Sequence, residues 1–217
     1  CVRLVGSEMC IRDSSSINHM GYSLLGMAAV VAAGAMNGGD LKAAQAGLSG
    51  AVFQMFNHGT ISAMLFILVG VVYERAHHRD IDGFGGLASQ MPAYTGITAL
   101  AFFAGLGLPG FSGFVSEAMC FIGAFPVFRT IVILSTIGIL LNAAYFLWAF
   151  QRVFFGKLNE KYKDMVVING MELFTVIPLA VITLFFGIYP GPYLDLIQAT
   201  MDQIIEKVAF VAAYVAL

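Results

Sequence analysis

Glu117 is the residue in this chain whose type and setting most clearly suggest chemistry. It follows a run, residues 83–116, that contains no Asp, Glu, Lys or Arg. A carboxyl group held in an apolar span is costly, about 3 kcal/mol even on a lenient insertion scale, and is a functional candidate for that reason. Burial disfavours its charged form, which suits a group that loads and unloads protons near neutral pH. The plainer alternative is an acid at a helix end or in a structural pair. His58 lies deep in a second uncharged run, with Gln54 and Ser62 four positions to either side and Asn57 adjacent. That spacing puts Gln54, His58 and Ser62 on one face of a helix. A polar stripe around an imidazole fits a water-mediated proton relay, because its two charge states are close in energy near pH 7. The competing reading is a polar seam that joins two helices. His19, with Ser15, Ser16 and Ser23 three or four positions away, is equally a relay member or an interface anchor.

The elements that must carry these groups are membrane helices. The 217 residues are 59% hydrophobic and 11% charged, with mean hydropathy +0.84, whereas a soluble domain carries about 25% charged residues. Long unbroken apolar runs, in place of alternation, point to helices and exclude barrel strands. The net charge of −2 offers no basic field for nucleic acid. The sequence contains no phosphate loop, dinucleotide fingerprint, cysteine cluster or nucleophile–base pair, so electrons in any linked oxidoreductase travel elsewhere. Cys1, Cys10 and Cys120 lie far apart, and Cys120 reads as a small buried hydrophobe.

The expected architecture is an all-α integral membrane protein with about five transmembrane helices, the third discontinuous, and a C-terminal helix. Spans fall at residues 16–36, 48–72, 92–125, 130–151 and 173–189. The third is too long for one crossing. Gly105, Gly107, Pro109, Gly110 and Gly113 fall in its middle; Pro109 lacks an amide donor and clashes with the preceding turn. Two half-helices, 92–108 and 114–125, should flank a break at 109–113. Unwound backbone at membrane depth needs protein cover or a wet cavity, and a broken helix beside a lone acid is typical of transporters. Residues 193–217 carry Asp195, Asp202, Glu206 and Lys207 and should lie in the interface or pack laterally. Asn37 to Asp40 reads as a turn, and His77 and His78 as solvated loop residues. Residues 1–13 lack a helical period and read as a foreign or misassembled leader. Loops after spans two and four hold six cations, Arg75, Arg79, Arg152, Lys157, Lys161 and Lys163, against three on the other side. The positive-inside rule places the six in the cytoplasm.

Several motifs occur in order: Ser-Ser-Ile-Asn-His-Met-Gly-Tyr at 15–22, Gln-Met-Phe-Asn-His-Gly at 54–59, and Val72-Tyr73-Glu74-Arg75. They continue with His78-Arg79-Asp80 running to Gly85-Gly86-Leu87, Gly-Leu-Pro-Gly-Phe-Ser-Gly-Phe-Val-Ser-Glu at 107–117, and Gln-Arg-Val-Phe-Phe-Gly-Lys at 151–157. Over residues 14–192 this set resembles the antiporter-like chain 4, or M subunit, of bacterial-type respiratory complex I. The resemblance implies part of an antiporter-like inverted-repeat fold, the C-terminal five spans of a fourteen-helix subunit. It also implies proton translocation coupled to quinone reduction by NADH:quinone oxidoreductase, in a bacterial inner membrane. The family's ionisable residue on the broken helix matches Glu117 and its central histidines match His58 and His19; Gln54, Asn57, Ser62, Pro109, Gly110 and Gly113 support them. No cofactor or metal is expected on this chain, with quinone, NADH, FMN and iron–sulfur clusters on partner subunits. The partners implied are other complex I membrane subunits, including sister antiporter-like chains, with lipid, protons and internal water. The upstream glutamate and lysines of the family are absent, as is its usual lead-in to the 15–22 stretch, so this chain should not pump alone. The alternatives are a subunit of a multi-chain cation/proton antiporter or membrane-bound hydrogenase, and a purely structural helix bundle.

Overall fold

The computed structural model describes residues 8–35, 40–78, 81–163, 165 and 167–215; side chains at 8–13, 82, 209 and 212–215 are outside that description. The described residues fold into eight α-helices and two short 3₁₀ turns. The helices are α1 (Glu8–Ala35), α2 (Leu41–Ala76), α3 (Leu87–Gln90), α4 (Pro92–Gly105), α5 (Ser112–Ala124), α6 (Arg129–Phe154), α7 (Gly170–Ile188) and α8 (Gly191–Val215).

The axis of the bundle is α2, against which α1 and α5 pack most extensively. The helix opens on Asp40, whose side chain accepts from the Ala43 amide at 3.0 Å, the usual way an orphan N-terminal donor is satisfied. It closes on His77, whose left-handed φ of 58° ends the helix as a glycine would. Glycines let the three helices approach closely. A Cβ at Gly26 would meet the Gly47 carbonyl, and one at Gly123 would collide with the Gly47 backbone. Such close backbone packing substitutes, in lipid, for the hydrophobic force that is missing there. Around this axis a large apolar cluster joins Met64, Leu68 and Val71 of α2 to Tyr94 and Ala101 of α4, Phe146, Phe150 and Phe154 of α6, and Val176 of α7.

Among the described residues, three helices, α2, α6 and α7, are each long and apolar enough to cross a membrane. The expected number of spans was about five, and the difference has two causes. α1 is 28 residues long and uncharged from Ser14 to Ala35, but Asn18, His19 and its serines and glycines lower its hydropathy. α4 and α5, of 14 and 13 residues, are individually too short to cross. The broken span is nonetheless where the glycines and proline suggested, with shifted limits. The unwound segment is residues 106–111, and Gly113 lies inside α5 rather than in the break. The shift follows from dihedrals: Gly107 (φ +70°) and Gly110 (φ +99°) occupy the left-handed region, while Gly113 is helical.

The C-terminal helix packs against the bundle. Tyr193 stacks on Phe53 at 4.7 Å, Ile197, Met201, Ile205 and Val208 pack with Val30, Ala44 and Leu48, and Asp202 accepts from Gln45. α8 therefore runs antiparallel to the first half of α2. α7 runs beside the second half, its first turn tied down by Arg75, which contacts Glu172 at 2.9 Å. Glu172 also accepts from the Asn169 amide at 2.7 Å in a capping box.

His78 corrects the expectation of a solvated loop residue. Its ring stacks on Phe84 at 4.5 Å and it hydrogen-bonds the buried Tyr162 hydroxyl, so it joins the loop after α2 to the loop after α6. The apolar surface of Phe84 and Tyr162 explains the burial. Residues 1–7, residue 36 at the end of the first expected span, residues 37–39 of the expected turn, and Arg79 and Asp80 lie outside the described residues. Residues 8–13 continue α1.

Candidate functional site

Glu117 sits in the second turn of α5, 4% exposed, and faces α1 and α2 instead of lipid. Its Oε1 lies 3.0 Å from His19 Nδ1. His19 comes from α1 and is itself buried. The same Nδ1 is 2.8 Å from Gln54 Nε2 on α2. Gln54 Oε1 accepts a hydrogen bond from the Ser116 hydroxyl, one residue before Glu117. Ser116 in turn accepts from Asn57 Nδ2 at 2.9 Å, and Asn57 Nδ2 also donates to the Ser112 carbonyl at 2.9 Å. Three helices thus contribute to one closed polar cluster in which Gln54, Asn57 and Ser116 are each at most 1% exposed.

The cluster is one hydrogen short. An imidazole Nδ1 has either one proton to donate or one lone pair to accept with. It faces both an amide donor and a carboxyl oxygen, and no hydrogen-bond partner other than His19 reaches Oε1. An under-satisfied carboxylate in low dielectric is strongly disfavoured. A proton on either Oε1 or Nδ1 relieves that cost, and the two atoms are within transfer distance.

The break supplies the other side of the site. Gly107 lies so close to Glu117 that an added Cβ would come 2.7 Å from Oε2. The Gly105 carbonyl, freed where α4 ends, accepts from Asn142 Nδ2 of α6 at 2.9 Å. Pro109 and Gly110 are exposed, and the Gly110 carbonyl packs so closely on α7 that a Cβ at Gly187 would collide with it. Gly113 lies buried against the Ala104 carbonyl, where a Cβ would come within 2.8 Å.

His58 is half-buried, one step removed. Its ring is 5.4 Å from that of His19 and its Nε2 is 3.2 Å from Ser62 Oγ. A cavity of about 10 Å³, lined by Ser15, Ser16, His19, Gln54, His58 and Ser62, borders both histidines, which is room for about one water. The four-residue spacing therefore puts Gln54 and Ser62 in different roles: Gln54 bridges His19 and Ser116, whereas Ser62 serves His58.

Ser116, Asn142 and Tyr145 were not among the residues singled out from sequence. Asn142 is 1% exposed, and Tyr145 donates to its Oδ1 while meeting the Ser15 side chain. A lone amide in the middle of the uncharged run before Arg152 was the available signal.

The fold and the site define a membrane helix bundle organised around an interrupted span, with a buried carboxyl–imidazole pair at the interruption. Residues 4–142 match the family described as NADH:quinone oxidoreductase/Mrp antiporter, TM, and the chain belongs to that family. It is 40% identical over 194 residues to NADH-quinone oxidoreductase subunit M of Rhodobacter capsulatus, covering 89% of this chain and 35% of the relative. It is 36% identical to F(420)H(2) dehydrogenase subunit M of Methanosarcina mazei, covering 90% and 37%. The chain thus spans about a third of the length of these relatives. Its fold is similar to respiratory complex I from Thermus thermophilus with bound NADH (TM-score 0.62, 24% identity, 92% of this chain and 46% of that one). It is also similar to the Mrp complex from Dietzia sp. DQ12-45-1b (TM-score 0.66, 18% identity, 91% and 50%).

Proposed function

We propose that this chain is the proton-handling part of a membrane subunit of NADH:quinone oxidoreductase, coupling quinone reduction on partner subunits to proton transfer across a bacterial inner membrane. The observation that carries the reading is the 3.0 Å contact between Glu117 Oε1 and His19 Nδ1, buried beside an interrupted helix. In the loaded state Glu117 carries its proton on Oε1. Transfer breaks that O–H bond and forms an N–H bond on His19 Nδ1, leaving a carboxylate–imidazolium pair. The proton then reaches His58 through the small cavity, and Ser62 Oγ is its next partner. The opening at residues 106–111 admits the water that exchanges protons with Glu117. NADH, FMN, iron–sulfur clusters and quinone would all be held by partner subunits. The curated relatives named as NADH-quinone oxidoreductase subunit M favour this over a cation/proton antiporter subunit, which the likeness to the Mrp complex supports through fold alone.

The test is Glu117→Gln and Glu117→Asp in the full-length subunit within its assembled complex, with proton pumping and quinone reduction measured together in sealed vesicles. Loss of both activities with Gln and partial retention with Asp is the expected result. A Gln variant that pumps normally makes the carboxyl structural.

A further inference from the structure

Gln54 and Ser116 are arranged to do more than fill space. With Nδ1 of His19 unprotonated, its lone pair is shared by the Glu117 hydroxyl and Gln54 Nε2, Gln54 Oε1 accepts from the Ser116 hydroxyl, and Ser116 accepts from Asn57, so every donor faces an acceptor. Once Nδ1 carries a proton and donates to Glu117, Gln54 Nε2 is left facing an N–H. Two donors then oppose each other in a buried site, which costs the desolvation of at least one of them. Turning the Gln54 amide by half a revolution removes the conflict. Its oxygen then faces Nδ1–H, and its NH₂ faces Ser116. Ser116 is able to follow, because its hydroxyl has two other acceptors in reach, the Gly113 carbonyl at 3.0 Å and the Ser112 carbonyl at 3.2 Å.

We propose that Gln54 and Ser116 form a proton-coupled amide switch, a pair of positioning residues that reverses its hydrogen-bond polarity each time the proton passes between Glu117 and His19. The proposal rests on the proton reading above. No electron moves: one O–H bond on Glu117 is exchanged for one N–H bond on His19, and the Gln54 amide and Ser116 hydroxyl only rotate. Because each orientation stabilises one location of the proton, the pair sets how the proton divides between Glu117 and His19 and, by stabilising the protonated pair, the pH at which that pair takes up its proton from bulk water.

The experiment uses the full-length subunit in its assembled complex, with pumping in sealed vesicles followed as a function of pH. Ser116→Ala leaves the turned amide without an acceptor, and Gln54→Met removes both bonds at similar volume. Each is expected to slow pumping roughly tenfold and to displace its pH midpoint by roughly half a unit or more. Ser116→Thr, which restores the hydroxyl, is expected to recover both within about twofold, and the Ser116→Ala/Gln54→Met double variant to be no worse than the weaker single. An unchanged midpoint in either single variant, losses that multiply, or an assembled Thr variant no better than Ala each overturn the switch. If neither Ser116 variant assembles, Gln54→Met decides alone through its midpoint. Wild-type pumping by Glu117→Gln sinks the proton reading; inactive Glu117→Gln with unaltered Gln54→Met and Ser116→Ala sinks only the switch.

Discussion

At the scale of single residues, the two central histidines are not equivalent. His19 touches Glu117 directly and is buried, whereas His58 is half-buried and bonded to Ser62. A positioned proton-transfer group contributes on the order of a hundredfold or more to rate. His19→Ala should therefore reduce pumping roughly a hundredfold. His58→Gln removes the next proton carrier but keeps a polar group beside Ser62 and the cavity, through which a water can bridge to Ser62, so it should cost less than His19→Ala, roughly tenfold. Pumping rates of the two variants in vesicles, normalised to assembled complex, check the order; equal losses would mean both imidazoles carry the same step. In sequence, the polar stripe of Gln54, His58 and Ser62 centred on His58, and His19 stood apart on another helix. The register of α1 against α2 instead makes His19 the direct partner, since Gly26 and Gly47 meet closely enough to bring His19 level with Gln54.

Helix by helix, the break is held by two buried asparagines. Asn142 from α6 takes the Gly105 carbonyl, which the end of α4 leaves without a helical donor, and Asn57 from α2 adds a donor to the Ser112 carbonyl in the first turn of α5. Asn142→Leu orphans a buried carbonyl and should destabilise by about 2 kcal/mol. The expected sign is faster amide exchange confined to residues 106–111 in hydrogen-exchange mass spectrometry; unaltered protection there would show that the bond is idle. Gly107→Ala tests the other requirement. It forces a Cβ into φ +70° and against Glu117 Oε2, so pumping should fall even where the complex assembles, and an assembled variant pumping at the normal rate would separate the break from the carboxyl. The glycines and Pro109 made the break legible in sequence. Its limits, 106–111 rather than 109–113, were not, because a helical and a left-handed glycine look alike until the φ angle is known.

For the molecule as a whole, the chain spans about a third of its curated relatives, and translocation needs a continuous path on both sides of the midplane. The site described above offers one carboxyl–imidazole pair beside one small polar cavity. The chain reconstituted alone into vesicles should therefore leave an imposed pH gradient as stable as protein-free vesicles do, read with a pH-sensitive dye. A specific leak abolished by Glu117→Gln would mean that this portion alone completes a pathway.

Sequence by itself determined the class of the molecule, because hydropathy and the scarcity of charge leave only membrane helices, and it determined the acid and the two histidines, because polar groups are conspicuous in apolar runs. It also located the interruption, since proline and clustered glycines cannot continue a helix. Only the tertiary structure decided which groups meet. Helix register, set by glycine contacts far from the chemistry, put Ser116 between Gln54 and Asn57 and His19 against Glu117. Antiparallel packing along α2 placed α8, whose mixed composition suits either an interface or a packed position. Those outcomes depend on contacts between residues distant in the chain, about which local composition and periodicity carry no information.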